Sequence, residues 1–265
     1  MPNLKKVSLI CTTYKRYTCV QRIIAQFYQQ SYPNKELIIF NTDVENPYSL
    51  SFEDENIIII NNNIDYLTGK EYTVRGPICR DAVTHATGDY FLLFDDDDIY
   101  LPWYIQQAVD GIESNRKLAW KPRKSFFANY QGIEVCSNTM ESSVIVKMEK
   151  IREIGFRDDI TGCESLSWYI ALRDSGDIDE FNNNYIPSYC FNWSDPSELA
   201  GHKQSGDINN PNNFENHKLA SKDYAKQPLT KGDIGDTYKK YYDYFIQNKE
   251  EFNLEYYEKY ASQYL

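Results

Sequence analysis

The chain has 265 residues, enough for one large α/β domain or for a core of about 200 residues with an appendage. A formal net charge of −11 speaks against a nucleic-acid binder, which needs a basic stripe against phosphates, and against general attraction to anionic lipid. The six cysteines (Cys11, Cys19, Cys79, Cys136, Cys163, Cys190) are scattered, with no C-x-x-C pair or zinc-spaced histidine, so free and mostly buried thiols are expected.

Val7-Ser8-Leu9-Ile10-Cys11-Thr12 reads as a buried strand ending in a polar turn. Thr18 to Gln30 carries Val20, Ile23, Ile24, Phe27 and Tyr28 on one helical face. Leu37 to Phe40 and Ile57 to Ile60 are two further apolar strands. Pro77 to Ala86 is expected to be helical, with Gly88 as a stop, and Tyr90 to Phe94 to be a fourth strand. A helix is expected from Pro102 to about Asn115. Strands and helices alternate throughout this half, which argues for a mostly parallel central sheet flanked by helices.

The second half is less regular. Lys117 to Tyr130, Ser142 to Lys147 and Tyr185 to Trp193 read as strands, and Met148 to Ile154 and Glu164 to Asp174 as helices. Gly206 to Asn216 reads as a linker, and Leu219 to Leu265 as a charged, tyrosine-rich helical extension with Tyr238, Tyr241, Tyr242 and Phe245 on one face. The division expected is a core over 1–205 and a linker with helical extension over 206–265. No signal-peptide pattern and no apolar run near the roughly 20 residues of a membrane span are present, so a cytoplasmic protein is expected.

In an open parallel sheet, ligands bind beyond the carboxyl ends of the strands. Three polar clusters follow such ends: Thr12 to Arg16, Asn41 to Asp43, and Asp95 to Asp98. The acidic run is the most telling. Adjacent carboxylates repel unless a cation or solvent compensates, and their oxygens suit a hard ion such as Mg²⁺ or Mn²⁺; a solvated acidic loop is the plainer alternative. On extended backbone, Asp95 and Asp97 would share one side, and Asp96 and Asp98 the other.

The chain resembles the family 2 glycosyltransferases, which have the Rossmann-like GT-A fold. The likeness is carried by Val7 to Arg16, by Arg80-Asp81-Ala82 with Ala86-Thr87-Gly88-Asp89-Tyr90, by Phe91-Leu92-Leu93-Phe94-Asp95-Asp96-Asp97-Asp98, and by Met140 to Phe156. It spans roughly residues 5 to 205. The resemblance implies transfer of a sugar from a nucleoside-diphosphate donor, UDP favoured, to an acceptor hydroxyl of a glycan or other molecule. It implies Asp95 and Asp97 as the Asp-x-Asp pair on the diphosphate and its Mn²⁺ or Mg²⁺, with Asp98 as a further ligand and Asp96 as spacer. Thr12, Thr13, Tyr14 and Arg16 would line the nucleotide, and Arg80 would reach a phosphate or organise the acidic turn.

This sequence departs from the family in two places. The second strand ends Phe40-Asn41-Thr42-Asp43, so Asn41 and Asp43 stand where an acidic pair contacts base or ribose. The family's Glu-Asp at a helix start is Glu164-Ser165 here. An inverting transferase needs a carboxylate to take the acceptor's proton; Glu164 is the first candidate and Asp159 the second. His202 lies where the family often completes its metal or diphosphate site; Trp120, Trp168 and Trp193 are each expected in the core first, with an acceptor-stacking platform among them as the second reading. Two other readings stand beside this one. A sugar nucleotidyltransferase would want a glycine-rich loop after the first strand, which Thr12 to Tyr17 lacks; a non-catalytic sugar-nucleotide or glycan-binding module is suggested by Ser165.

Overall fold

The computed structural model describes residues 4–129, 132–158, 164–180, 185–192 and 227–265, with the backbone alone at 164–166. The first half runs β1 (Val7–Thr13), α1 (Tyr17–Gln29), β2 (Lys35–Asn41), β3 (Ile57–Asn61), α2 (Arg75–Thr84), β4 (Tyr90–Leu93), β5 (Ile99–Tyr100) and α3 (Tyr104–Glu113). It continues with β6 (Ala119–Trp120), β7 (Lys124–Asn129), β8 (Gly132–Ser137), β9 (Ile145–Lys147), α4 (Met148–Ile154), α5 (Glu164–Asp174), β10 (Ile178–Asp179), β11 (Tyr189–Asn192) and α6 (Lys239–Asn248).

Strands apolar on both faces are stable only when both faces are covered. In β1, β2 and β4 this is met by strict alternation. Leu9, Cys11, Leu37, Ile39, Tyr90 and Leu92 enter one buried cluster, with α1 and α3. Ile10, Ile38, Phe40, Phe91 and Leu93 enter the other, with α2, α4 and α5. Each fully buried Ile or Leu contributes about 1.5–3 kcal/mol relative to exposure. The main sheet has the order β10-β6-β9-β4-β1-β2-β3, parallel throughout except for β9, which is antiparallel to both neighbours. The chain moves outward from β1 to β3 and then returns to the other side of β1 with β4. This reversal opens a crevice between the carboxyl ends of β1 and β4. A second sheet, β5-β11-β7-β8, stands beside it.

The expected strand from Lys117 to Tyr130 is divided. Pro122 has no N–H for a ladder, and the chain changes sheet there, from β6 to β7. Likewise Pro187 delays the strand expected from Tyr185 until Tyr189. The aromatic face of the extension packs on the first cluster: Phe245 meets Trp103 edge-on at 5.5 Å, and the Tyr238 hydroxyl donates to the Tyr100 carbonyl at 2.7 Å. One buried cluster therefore runs from the sheet into the C-terminal segment. Cys11, Cys19, Cys79 and Cys190 are buried thiols and Cys136 is a half-buried one, with no disulfide among the described residues; Cys163 lies outside them. No helix among the described residues is long and apolar enough to cross a membrane.

Candidate active site

The site begins with the turn after β1. Lys15 has φ of 57°, the only positive value at a non-glycine residue among those described. This left-handed residue costs about 1 kcal/mol or more and reverses the direction of its neighbours. Tyr14 is thrown outward, 51% exposed, while Arg16 turns in under the acidic run. The Arg16 Nη1 donates to Asp96 Oδ1 at 2.6 Å and to Asp97 Oδ2 at 3.0 Å, and Thr13 Oγ1 donates to Asp96 Oδ2 at 2.7 Å. Burial alone would weaken the Arg16 charge, but Asp96 and Asp97 outweigh it and hold the guanidinium firmly protonated. The Arg16 backbone is itself fixed, its N–H donating to the Tyr48 hydroxyl at 3.1 Å and its carbonyl accepting from Val20 at 3.0 Å.

The acidic run follows β4 as a tight turn rather than extended chain, with the Asp98 N–H directed at the Asp95 carbonyl. Two expectations change as a result. Asp96 and Asp97, neighbours expected on opposite sides, share one guanidinium. Asp98, expected as a reserve metal ligand, points inward: it is 1% exposed and accepts from the Tyr189 hydroxyl at 2.6 Å and the Asn192 N–H at 3.0 Å. Burial, then the charges of Asp97 and Asp95, push its carboxyl well above the ordinary range. Asp98 ties the acidic turn to β11. Asp96, expected to be a spacer, is the anchor for Arg16 and Thr13.

Asp95 pairs with Arg75, the first residue of α2, whose Nε also donates to Thr12 Oγ1 at 2.9 Å. Burial raises the Asp95 carboxyl and the Arg75 charge opposes that rise without cancelling it. The phosphate-facing role expected of Arg80 does not match its position. Its guanidinium is occupied by Asp65 and Asp81, both at 2.8 Å. The reason is helical geometry: α2 starts at the carboxyl end of the sheet, and Arg80 lies about 7.5 Å further down the axis. Arg75 is the residue the sequence reading missed. Its signal was its place at the mouth of a helix that begins two residues before Pro77; a proline in the first turn loses no helical bond.

At the third cluster, Asn41 is buried and its amide donates to Asp43 O, Asn46 O and Asn61 Oδ1 within 3.2 Å. The Asp43 N–H returns to Asn41 Oδ1 at 3.0 Å, and Asp43 Oδ2 accepts from Asn46. Asn41, expected as a hydrogen-bonder to the base, thus shapes the loop beside the crevice. Trp120 and Trp168 are core residues, 1% and 0% exposed. Trp193, Asp159 and His202 lie outside the described residues, as does the side chain of Glu164; the Glu164 backbone opens α5. Gly76 brings the start of α2 against Arg157: a Cβ there would meet the Arg157 carbonyl oxygen at 1.7 Å.

Among the described residues, no three acidic, histidine or cysteine side chains are grouped so as to hold a metal ion. Asp95 and Asp97 are nonetheless hard oxygen donors at the crevice, balanced by cationic side chains. Two carboxylates completed by diphosphate oxygens and water are how Mg²⁺-type ions are commonly held beside phosphates. The donor set fits such an ion.

Residues 8–163 match the family described as glycosyl transferase family 2. Among solved structures, the chain is similar to S. aureus TarS 1-349 in complex with UDP: TM-score 0.55, 14% identity, covering 82% of this chain and 64% of that one. The same protein in complex with UDP-GlcNAc gives TM-score 0.55 and 14% identity over 81% of this chain and 65% of that chain. The chain thus spans slightly less than two thirds of the length of these structures. At such identity the likeness concerns the fold, which is of the GT-A type. No curated protein matches the chain.

Proposed function

From the premise that the chain belongs to glycosyl transferase family 2, we propose that it moves a sugar, with inversion, from a nucleoside-diphosphate donor to an acceptor hydroxyl. The observation that carries this is the convergence, at the β1–β4 reversal, of Thr12, Arg16, Arg75, Asp95 and Asp97. UDP is the favoured nucleotide. Tyr14 offers an exposed ring to a base, and Thr12 and Thr13 border the same turn. Arg75 and Arg16 offer cationic groups to a diphosphate. Asp95 and Asp97 would hold Mn²⁺ or Mg²⁺, which when bound supplies Lewis-acid stabilisation to the departing diphosphate. His202 is proposed to complete that site.

In the reaction the acceptor oxygen bonds to the anomeric carbon as the bond from that carbon to the diphosphate oxygen breaks. The acceptor's proton goes to a carboxylate on the opposite side of the sugar. Glu164, at the start of α5, is proposed for that task, and Asp159 after it. Donor-hydrolysis and transfer assays with a panel of UDP- and GDP-sugars test the reading. Turnover that Glu164→Ala removes while donor binding persists supports it. Full activity in Glu164→Ala moves the base to Asp159. Metal-dependent UDP binding with no turnover on any donor makes the chain a binding module instead.

A further inference from the structure

One guanidinium nitrogen serves two carboxylates in this site. Arg16 Nη1 lies 2.6 Å from Asp96 and 3.0 Å from Asp97. The two legs differ in length. Both carboxylates are buried, Asp96 3% and Asp97 6% exposed, and the other oxygen of Asp96 accepts from Thr13. Asp97 is the proposed cation ligand. Arg16 cannot withdraw as a whole: it caps α1, its N–H is held by Tyr48, and the left-handed Lys15 sets its direction.

Resting on the donor-site reading above, we propose that Arg16 is a resident counter-cation with which a divalent ion competes for Asp97, and that Asp96 retains Arg16 so that the exchange is local. A divalent ion alone then meets a carboxylate already neutralised and a fixed positive charge beside it. The diphosphate of the nucleotide brings the negative charge that restores the balance. Metal and nucleotide therefore bind with positive coupling, and by linkage each strengthens the other by the same factor. Asp96, an acid at the position between the motif's two ligands, thereby tunes cation affinity without touching the cation.

The test is titration of free Mn²⁺ by electron paramagnetic resonance, with and without UDP, on the full chain. Arg16→Gln is expected to bind Mn²⁺ without nucleotide at least about tenfold more tightly than wild type, as removal of an adjacent like charge implies. Its coupling to UDP shrinks correspondingly. Asp96→Asn is expected to change in the opposite sense, weakening Mn²⁺ at least about threefold, because Arg16 is left to Asp97 alone. A merely structural role for the triad would weaken Mn²⁺ in both variants. Unchanged or weaker Mn²⁺ binding in an Arg16→Gln protein with wild-type circular dichroism overturns the proposal. Tighter binding in Asp96→Asn overturns it equally, and stands as the test should Arg16→Gln not fold. If wild type binds Mn²⁺ with UDP and these results fail, only the competition falls. If wild type binds no Mn²⁺ even with UDP, the metal reading of the site falls with it.

Discussion

Gly76→Ala adds one methyl group where α2 begins. The new Cβ would lie 1.7 Å from the Arg157 carbonyl oxygen and 2.8 Å from its carbon, whereas real Cβ atoms stay beyond 3.0 Å. The obstacle is backbone, so no side-chain rotation relieves it. The Arg157 segment must retreat by more than an ångström, or the first turn of α2 must. Overpacking of this kind costs about 1–3 kcal/mol. Retreat of Arg157 moves the chain that leads to the proposed base, and misplacement of a reacting group by about 1 Å costs about a hundredfold in rate. The expected result is a folded protein with a lower Tm and kcat down about a hundredfold, with the donor KM changed by less than about fivefold. Steady-state kinetics with saturating acceptor, beside thermal unfolding, measure this. A folded variant that keeps kcat within about twofold refutes the link between α2 and the base-bearing segment.

Four further substitutions each test an individual set of contacts. Arg75→Ala leaves Asp95 without its guanidinium and should raise the donor KM at least about tenfold; Arg80→Ala, which removes contacts to Asp65 and Asp81, should lower Tm and leave the donor KM unchanged. Glu36 is buried and accepts from Ser8 Oγ, Thr87 N and Thr87 Oγ1 while pairing with Lys6. Glu36→Gln should cost about 3 kcal/mol in urea unfolding at pH 7. Burial pushes the Glu36 carboxyl up, but the donors of Lys6, Ser8 and Thr87 outweigh it and hold the group below its ordinary value. Its stabilisation is therefore present above the ordinary carboxylate range, and the gap to the variant should close as pH falls through the depressed value. Asp98 has the opposite sign: its carboxyl is raised, so its ionisation disfavours the fold as pH climbs from the ordinary value through the raised one. Asp98→Asn should gain stability relative to wild type as pH rises above the ordinary carboxylate range, and a gap that does not change with pH would contradict this.

Much of the scaffold was legible because it rests on periodicity. The two-sided apolar strands β1, β2 and β4, the apolar face of α1, and the whole of α4 and α5 are where the pattern places them. The strands broken at Pro122 and before Tyr189 were less so, since which sheet a short strand joins depends on distant partners. In the site, the three strand-end clusters were readable, but the direction of each side chain was not. The alternation rule assumes extended chain, and Asp95 to Asp98 form a turn, which puts Asp96 and Asp97 on one arginine and sends Asp98 inward. Arg80 was given the role for which Arg75 is placed, because five residues of helix, about 7.5 Å, decide which end of the sheet an arginine faces.

The acidic turn is proposed to hold both the donor and the cation. Calorimetric titration of UDP into wild type and Asp97→Ala, with and without Mn²⁺, addresses this directly. The expected result is wild-type affinity for UDP that rises at least about tenfold with Mn²⁺, and no such rise in Asp97→Ala. UDP affinity that ignores Mn²⁺ in wild type, or a rise that survives in Asp97→Ala, would contradict it.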